Sequence, residues 1–431
     1  MNSDVLVHAG LAGQDVLAGR LYSHRRRGTE SASFVYDDQY LAHPEAYPLD
    51  PALPLVRGTL QTPIGQPLFG AFADSSPDRW GRTLIKRAEQ ARAKEAGTVP
   101  RSMGELDLLL GVRDDLRQGA LRFRSGRFRS GRSRSGEHSP FLATEDSGVP
   151  LLTDLPVLLD LAARADRDTA DYEELRRLVR AGSSLGGARP KAHVRDTDGS
   201  IAIAKFPSAN ADRWNVMAWE KTALDLARDA GVQVPDSQLV RVGERHVLVV
   251  NRFDRRDGNE RIGYASAMTM LEARDGDQRS YLELAEVLER HSPSATSDLK
   301  QLWRRIALSV LISNTDDHLR NHGFLHVHGD AWTLSPAFDI NPNPEPGTKF
   351  LSTAIDDADT RASVDTLLSV CDHFRLSHED ALDVLGDVTG VTARWRQVAG
   401  ALGVKPREIE DMKPAFEHLE ADRARFLTGA R

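Results

Sequence analysis

The segment at residues 313–342, SNTDDHLRNHGFLHVHGDAWTLSPAFDINP, holds the residue types needed for phosphoryl transfer to a hydroxyl group. Asp316 and Asn321 are five residues apart in it, and His318 lies between them. The reaction needs a carboxylate that orients the nucleophile and accepts its proton, together with oxygen ligands for Mg²⁺. An Asp and an Asn at this interval supply both, as they do in the kinase signature HRDLxxxxN. We therefore predict that Asp316 is a catalytic base and Asn321 a metal ligand.

A second metal ligand is expected at Asp339, which follows Phe338. Two short β-like runs, GFLHV and AWTLSPAF, are separated by the turn sequence His328-Gly329-Asp330. A hairpin here would return Asp339 to the side of Asn321, so that the two residues hold Mg²⁺ against the phosphates of ATP. In the alternative interpretation Asp316 and Asp317 cap a helix, and Asp339 belongs to an Asx turn before Pro342.

Lys205 ends the apolar run IAIAKF, and Glu220 lies in the helix predicted after it. A lysine at the end of a buried strand is costly to desolvate unless an anion pairs with it. Phosphates of ATP and the carboxylate of Glu220 would both serve, which predicts a catalytic role for Lys205. An exposed lysine and a surface glutamate are the default interpretation of either residue alone.

A glycine-rich segment, GSSLGGARPK at residues 182–191, precedes the strand pair that ends in Lys205. Its backbone N–H groups could approach phosphate closely, and Lys191 adds positive charge. The segment matches neither GxxxxGK[ST] nor GxGxxG, so a flexible turn is an equally good interpretation of these residues alone. The nucleotide-binding residues predicted here are Gly186, Gly187, Ala188, Arg189 and Lys191.

The segment VVNRFD at residues 249–254 ends a predicted hairpin and leads into the helical half of the chain. By position it is a candidate hinge, where backbone groups of Asn251 and Phe253 would face adenine. We predict that His318 also contacts the nucleotide. The remaining histidines, such as His291 and His326, lack metal-ligand spacing, and the chain has no GxSxG or Rossmann motif.

The order of predicted elements indicates an α+β chain with two kinase-like lobes. Strands are expected within residues 1–60, a helix within 66–95 that begins at Ser76-Pro77-Asp78, and a helical stretch over 151–181. Two hairpins should follow, at 191–206 and around Gly243, with a helix at 214–230 between them. We expect three domains: an N-terminal module (1–138), a kinase N-lobe (139–258) and a helical C-lobe (259–431).

An arginine-rich stretch, RFRSGRFRSGRSRSG, occupies residues 122–136. It carries little apolar surface, which predicts a solvated loop between domains. A nucleic-acid contact is the functional alternative. The arginines are Arg122, Arg124, Arg127, Arg129, Arg132 and Arg134.

Composition is that of a globular protein: 431 residues, 40% hydrophobic and 28% charged, with a net charge of −7. The negative charge gives no reason to expect tight nucleic-acid binding by this chain alone. A single cysteine, Cys371, allows no intrachain disulfide, and the N-terminus lacks the pattern of a signal peptide. With no apolar run of membrane-spanning length, these features predict a cytoplasmic protein.

Four segments together resemble one family, the HipA toxin kinases of bacterial type II toxin–antitoxin modules. They are SSLGGARPK, IAIAKF, the RFDR segment at 252–255, and NTDDHLRN followed by AFD; ADSSPDRWGR at 73–82 is similar to the family's N-terminal module. The resemblance implies a fold related to protein and phosphoinositide kinases. It also implies that Ser184, or its neighbour Ser183, is autophosphorylated, which would eject the loop and inactivate the enzyme. Asn251 replaces the family's glutamate at the hinge.

The resemblance further implies a serine/threonine protein kinase that uses ATP and Mg²⁺ to phosphorylate a protein such as an aminoacyl-tRNA synthetase. Its expected partner is a helix-turn-helix antitoxin of the HipB type, through which alone it would reach DNA. Two other possibilities stay open. One is a catalytically weak homologue that acts as a corepressor, and the other is a kinase for small molecules or lipids, although no membrane-binding face is visible.

Overall fold

The protein's structure is a computed structural model that describes residues 3–11, 13–26, 28–126, 140–143, 148–182, 187–256 and 260–429. The chain forms two compact units. Unit 1 holds residues 1–210, 254–265 and 325–330, and unit 2 holds residues 211–253, 266–324 and 331–431. Two short segments of the C-terminal half thus belong to unit 1, and the three domains expected from the sequence stay a prediction.

Unit 1 begins with a five-stranded sheet in the order β4-β3-β2-β1-β5. All neighbouring strands are antiparallel, and the strand–turn–strand pattern predicted for the N-terminus is confirmed. Apolar residues of the first three strands, such as Val7, Leu21 and Phe34, are buried, which fixes the register because a one-residue slip would expose them. The strands are β1 (Ser3–Leu11), β2 (Gln14–Arg26), β3 (Thr29–Tyr36), β4 (Leu60–Gln61) and β5 (Leu121–Ser125).

Helices follow, and the start of the longest one in unit 1 differs from the prediction. Asp78, rather than Ser76, is the N-cap: its Oδ1 accepts from the N–H of Gly81 at 2.7 Å. The Ser76 hydroxyl instead donates to the Phe72 carbonyl. A carboxylate that starts the helix also places negative charge at the positive end of the helix dipole. These helices are α1 (Asp38–Leu41), α2 (Gly70–Asp74), α3 (Arg79–Glu95) and α4 (Glu105–Gly111).

The arginine-rich stretch was predicted to be a solvated loop, and for its first residues this is wrong. Arg122 and Arg124 lie on β5, and both guanidinium groups stack on the ring of Phe141, at 3.5 and 4.1 Å from its centroid. Arg122 also pairs with Asp114 and Asp15. Asp15 is 107 residues away on β2, and Asp114 precedes the arginine-rich stretch, so the composition of the stretch did not indicate either partner. Arg127, Arg129, Arg132 and Arg134 lie outside the described residues.

The helical stretch predicted over 151–181 is two helices, because Asp171 begins the second one with a capping box closed by Glu174. It ends, as predicted, at Ala181-Gly182, where Gly182 has φ +83°. The predicted hairpin with an Asp-Gly turn is present, and its register pairs Lys191 with Lys205. The elements are α5 (Leu155–Asp166), α6 (Tyr172–Arg180), β6 (Lys191–Arg195) and β7 (Ile201–Lys205).

Unit 2 starts with a helix and a hairpin, as predicted: α7 (Val216–Asp229), β8 (Ser237–Val242) and β9 (Arg245–Asn251). Beyond this point helices predominate, and their apolar faces enclose Trp303, Trp395 and Phe416. The remaining elements in chain order are β10 (Tyr264–Ser266), α8 (Ala267–Met270), α9 (Tyr281–His291), α10 (Ala295–Leu311), β11 (Gly323–His328), β12 (Ala331–Leu334), α11 (Val364–Ser369), α12 (His378–Thr392), α13 (Trp395–Ala401), α14 (Pro406–Asp411), α15 (Lys413–Phe416) and α16 (Leu419–Thr428). None of the helices in the described part of the chain is long and apolar enough to cross a membrane.

A buried arginine organises the centre of unit 1. Arg117 is fully buried and donates to the carbonyls of Ser75, Leu109 and Val112 at 2.8–2.9 Å. Its guanidinium also lies 4.6 Å from the centroid of Phe123 on β5. Burial lowers the pKa of Arg117 to about 9, so the group stays charged at neutral pH. One side chain thereby joins the end of α2, the end of α4 and the sheet.

Replacing Arg117 with alanine should destabilise unit 1, because three buried carbonyls would lose their donor. We expect a loss of roughly 2–5 kcal/mol in the free energy of unfolding, measured by chemical denaturation followed by circular dichroism. Arg57→Ala is the matched control. That arginine is 83% exposed in its ion pair with Asp38, and its loss should cost no more than about 0.5 kcal/mol. Equal stability of the two variants would contradict the role given to Arg117.

Candidate functional site

The predicted base and metal ligands, Asp316, Asn321 and Asp339, lie in the segment that follows α10 in unit 2, whereas Lys205, the other predicted catalytic residue, lies in unit 1. Asn321 is 5% exposed and its Nδ2 donates to the backbone carbonyl of Asp316 at 3.0 Å. A hydrogen bond therefore joins Asp316 and Asn321, the two ends of the five-residue interval. Because the donor end of the amide is held by the chain, its oxygen is the end left for a cation.

Asp316 and its neighbour Asp317 have opposite environments. Asp316 is exposed, so its carboxylate is accessible to a substrate, whereas Asp317 is 6% exposed. His318, next along the chain, has a buried Nδ1 atom that finds no hydrogen-bond partner among the described residues. A buried polar atom of this kind is costly unless a ligand satisfies it, so His318 fits a ligand-contacting position. The catalytic role of Asp316 and the nucleotide contact of His318 remain predictions.

The contacts that hold Asp317 were not predicted from the sequence. Its Oδ2 accepts from the Tyr281 hydroxyl at 2.6 Å and from the Ser309 hydroxyl at 3.1 Å. The Nε2 atom of His322 lies 3.1 Å from Oδ1, and Thr353 donates to the backbone carbonyl of Asp317. Burial acts to raise the pKa of Asp317, but His322 and the two hydroxyl donors outweigh it, and the pKa lies below its ordinary value. The ionised carboxylate therefore bonds residues 314–321, the predicted catalytic loop, to α9 and α10.

The hairpin that was predicted between Asn321 and Asp339 is present. Strands β11 and β12 are joined at Gly329-Asp330, and the Ser335 N–H donates to the Gly323 carbonyl at 2.8 Å. Gly323 is two residues after Asn321, so the chain returns to the end of the catalytic loop before it reaches Asp339. The hairpin is thus the element that connects the two predicted metal ligands.

Two buried groups of α10 hold the returning strand in place. Asp298 accepts from the Thr333 hydroxyl at 2.8 Å and from the Leu334 N–H at 3.0 Å. Arg305 donates from Nη2 to the Ser335 carbonyl. Burial lowers the pKa of Arg305 to about 10, while Asp317 and Asp298 act against this shift. The group therefore stays charged at neutral pH.

Asp339 has a left-handed backbone, with φ +58°, which is uncommon for residues other than glycine and is often found at functional sites. Asn341 holds it there: its Nδ2 lies 3.4 Å from Asp339 Oδ1, and its N–H donates to Asn314 Oδ1 at 3.2 Å. The Asn341 Oδ1 atom is buried and has no hydrogen-bond partner in the part of the chain that the structure describes. Asn314 opens the catalytic loop, so the segment around Asp339 is bonded to that loop.

No cluster of three or more His, Cys, Asp or Glu side chains suited to a metal occurs within the described ranges. A magnesium site does not require one, since Mg²⁺ retains waters and binds one or two protein oxygens together with phosphates. The amide oxygen of Asn321, the carboxylate of Asp339 and the unpaired Asn341 oxygen are ligand atoms of the right kind. The residues therefore fit a Mg²⁺–nucleotide complex, and sequence reasoning missed Asn341.

The structure limits which backbone groups of the predicted hinge, residues 251–253, could face adenine. The backbone N–H of Asn251 already donates to the Asp236 carbonyl at 2.8 Å, so this group is not available to adenine. Asn251 itself is exposed at the end of β9. Phe253 packs against Phe338, with ring centroids 5.4 Å apart, and so connects the hinge to the residue that precedes Asp339. A contact of adenine with this segment remains a prediction.

In unit 1, the Lys191 ammonium is engaged elsewhere. Its Nζ lies 2.6 Å from Asp78 Oδ2, and both side chains are 4% exposed. Trp80 Nε1 donates to the Lys191 carbonyl at 3.2 Å. Asp78 thus caps α3 and neutralises Lys191, whose cross-strand neighbour is the like-charged Lys205. A phosphate contact from Lys191 would require this ion pair to open.

The other predicted ligands are only partly described. Ser183, Ser184 and Gly186 lie outside the described residues. Gly187 has φ +99°, Gly187 and Ala188 are exposed, and Arg189 is half-buried.

Lys205 is half-buried at the end of β7, and Glu220 is 2% exposed on α7. Their predicted ion pair would join residues of different units and stays a prediction.

The fold and this arrangement define a kinase-like protein, and comparison with known families gives its affiliation. A model described as the HipA N-terminal domain matches residues 12–123, and one described as the HipA-like C-terminal domain matches residues 183–395. The chain belongs to the HipA family.

A solved structure gives the same result for the fold. The Shewanella oneidensis MR-1 HipA, from a complex of HipA, HipB and operator DNA, aligns with a TM-score of 0.63 at 15% identity. The alignment covers 99% of this chain and 100% of that one. At this identity the match concerns the fold alone, and it confirms the kinase-like α+β fold predicted from the sequence.

Two curated relatives match over shorter stretches. The "Putative kinase Y4dM" of Sinorhizobium fredii is 31% identical over 156 residues, which is 33% of this chain and 37% of that protein. A "Putative kinase" of Haemophilus influenzae is 25% identical over 143 residues, which is 29% of this chain and 42% of that protein. The chain therefore aligns with less than half the length of each.

Tyr281→Phe should destabilise unit 2 by about 1–3 kcal/mol at neutral pH, because Asp317 loses a buried donor. The pKa of Asp317 is lowered in the folded state, so its stabilising effect is complete above the ordinary value of 3.8 and is lost as pH falls below it. The stability difference between wild type and variant should shrink correspondingly in denaturation curves recorded between pH 7 and pH 3.

Tyr172→Phe, at the half-buried start of α6, is the control and should match wild type throughout. A Tyr281→Phe variant as stable as wild type at neutral pH would show that Asp317 does not depend on this hydroxyl.

Proposed function

We propose that this chain is an ATP- and Mg²⁺-dependent serine/threonine protein kinase. The observation that carries the proposal is the closed Asp316–Asn321 loop, in which an accessible carboxylate stands next to an asparagine held by the backbone. Asp339, left-handed in a segment that is bonded to this loop, would add a second oxygen ligand. Names of the relatives support the same class, although they were matched over part of their length only.

Each residue would have one task in this reaction. Asp316 would orient the acceptor hydroxyl and take its proton, as the exposed carboxylate of the loop. Asn321 and Asp339 would hold the metal, and Lys205, oriented by Glu220, would neutralise phosphate charge. Bound Mg²⁺ supplies the positive charge that the transferring phosphoryl group requires.

Nucleotide contacts would come from three further places. The glycine-rich loop, from Gly186 to Arg189, would cover the phosphates with its backbone N–H groups. The Asn251–Phe253 segment would face adenine with its carbonyl groups and the Phe253 N–H, since the Asn251 N–H is engaged. His318 would place its partnerless Nδ1 toward the nucleotide.

Membership of the HipA family supports a further proposal about the cellular role and the partner of this chain. We infer that the chain is the toxin of a HipA–HipB-type pair in a reducing cytoplasm, with Cys371 as a buried free thiol. The Shewanella structure contains HipA, HipB and operator DNA, which supports an antitoxin partner that contacts DNA on behalf of this chain. The proposed acceptor is a protein serine, for example on an aminoacyl-tRNA synthetase. Autophosphorylation at Ser184, or Ser183, would inactivate the kinase.

Intact mass after incubation with Mg-ATP tests this proposal. Wild type should gain one phosphate, mapped by peptide sequencing to Ser184 or Ser183, whereas Asp316→Asn should slow the gain by at least about 10³-fold through loss of the base. Asp411→Asn, a similar charge removal at the exposed end of α14, should behave as wild type.

The outcomes separate the possible functions. A wild type that neither gains phosphate nor binds ATP would contradict the kinase proposal and favour a corepressor role. A wild type that binds ATP without self-modification would be tested with protein, lipid and small-molecule acceptors.

A further inference from the structure

The hairpin formed by β11 and β12 has its ends in unit 2 and its tip in unit 1. Its tip, residues 325–330, belongs to the same compact unit as the N-terminal sheet and its helices, while Gly323–Phe324 and β12 belong to unit 2. The residues at the two ends of the hairpin are the predicted metal ligands Asn321 and Asp339. Whatever holds the tip therefore acts directly on the element that separates these ligands.

The tip is held by an aromatic stack inside unit 1. The ring of His326 lies on the ring of Tyr47, with centroids 3.7 Å apart and planes 21° from parallel. Tyr47 is 2% exposed and is fixed through its backbone, because its carbonyl accepts from the Tyr40 hydroxyl at 2.9 Å. Burial lowers the pKa of His326, so the stacked imidazole is neutral at pH 7. The ring is further oriented by a contact of 2.9 Å between Nε2 and the Gly329 carbonyl.

A second segment of unit 1, the one that contains Gly263, also contacts the hairpin tip. The His326 N–H donates to the Gly263 carbonyl at 2.9 Å. A Cβ atom at Gly263 would lie 2.8 Å from His326 Cβ and 3.0 Å from the Tyr47 hydroxyl, so only glycine fits there without a shift. Tyr47, Gly263 and His326 thus form one tightly packed contact, here called the tip clamp.

The segment that carries Gly263 is itself anchored to the N-terminal module. Asp254 accepts from the Gly119 N–H at 2.8 Å, and Arg255 donates to the Arg117 carbonyl at 2.6 Å. Arg261 donates to the Asp114 carbonyl at 2.6 Å. These contacts reach the same short stretch, residues 114–119, that contains the buried Arg117. The segment that carries Gly263 is therefore hydrogen-bonded to the stretch around Arg117.

From this arrangement we infer that the N-terminal module is a positioning element of the phosphotransfer site, which acts through the tip clamp on the spacing of Asn321 and Asp339. The inference rests on the proposed function for its catalytic meaning. Tyr47, Gly263 and His326 are positioning residues that touch neither nucleotide nor metal. Within unit 2, Asp298 and Arg305 fix the returning strand β12.

Hydrogen exchange followed by mass spectrometry tests the structural half of the inference without any assay of activity. In the full chain, Tyr47→Ala should raise exchange in peptides that cover residues 323–341 and leave α12 unchanged, because the tip loses its stack. Tyr47→Phe keeps the ring and should restore wild-type exchange. Tyr22→Ala is the matched truncation on β2, opposite Asp4 and Ser33, and should leave residues 323–341 as they are.

The Mg²⁺ dependence of phosphate transfer at saturating ATP tests the part of the inference that concerns catalysis. Tyr47→Ala should raise the half-maximal Mg²⁺ concentration by about two- to tenfold, the range expected from one aromatic contact, and Tyr47→Phe should rescue it. His326→Ala should have the same effect, and the double variant should be no worse than either single variant, since both remove one contact. Gly263→Ala should shift the Mg²⁺ requirement in the same direction without removing a core side chain.

Each result has a defined meaning. Unchanged exchange at 323–341 in both Tyr47→Ala and His326→Ala would overturn the inference, whatever the activity. Increased exchange with an unchanged Mg²⁺ requirement would overturn the positioning role. A wild-type protein without phosphate transfer would refute the proposed function instead, and the exchange data would then decide whether the N-terminal module holds the hairpin.

Discussion

The catalytic segment depends on a buried negative charge that must be satisfied. An isolated carboxylate in a protein interior is strongly unfavourable, so Asp317 requires partners, and it takes them from Tyr281, Ser309 and His322. Once those partners are in place, the loop has little freedom, and the adjacent Asp316 is presented outward. The sequence pair Asp316-Asp317 thus combines one residue that can meet a substrate with one that fixes the backbone beneath it.

The same physical rule operates in unit 1, where buried arginines meet carbonyl groups and carboxylates. Arg117 holds three carbonyls, and Asp114 receives Arg122 and Arg261. Such contacts are direction-dependent, unlike apolar packing, and so they set the relative positions of the elements they join. Residues 254–265 use them to join the N-terminal module, and through Gly263 this order extends to the hairpin tip. The N-terminal module and the hairpin tip thus belong to one bonded network inside unit 1.

Local features of this chain were predictable because short-range physics determines them. The Asp-Gly turn between β6 and β7, the end of α6 at Gly182 and the turn at Gly329-Asp330 follow from backbone preferences of the residues involved. Asp316, Asn321 and Asp339 could be proposed from the sequence because phosphotransfer needs particular side chains at a particular interval, and their roles stay predictions. Nothing local indicated that Asp78 would neutralise Lys191 from 113 residues away, or that Tyr281 would bond to Asp317. Partners distant in sequence become visible only when the fold brings them together.

The most direct test of the account is the position of the metal. In a crystal structure of the chain with Mn²⁺ and a non-hydrolysable ATP analogue, the anomalous signal of manganese locates the ion independently of any assumed chemistry. The account predicts a peak within coordination distance, about 2.0–2.3 Å, of both the Asn321 amide oxygen and the Asp339 carboxylate, with the analogue's phosphates on its other side. A metal and nucleotide bound away from these two residues, or no nucleotide bound at all, would contradict it.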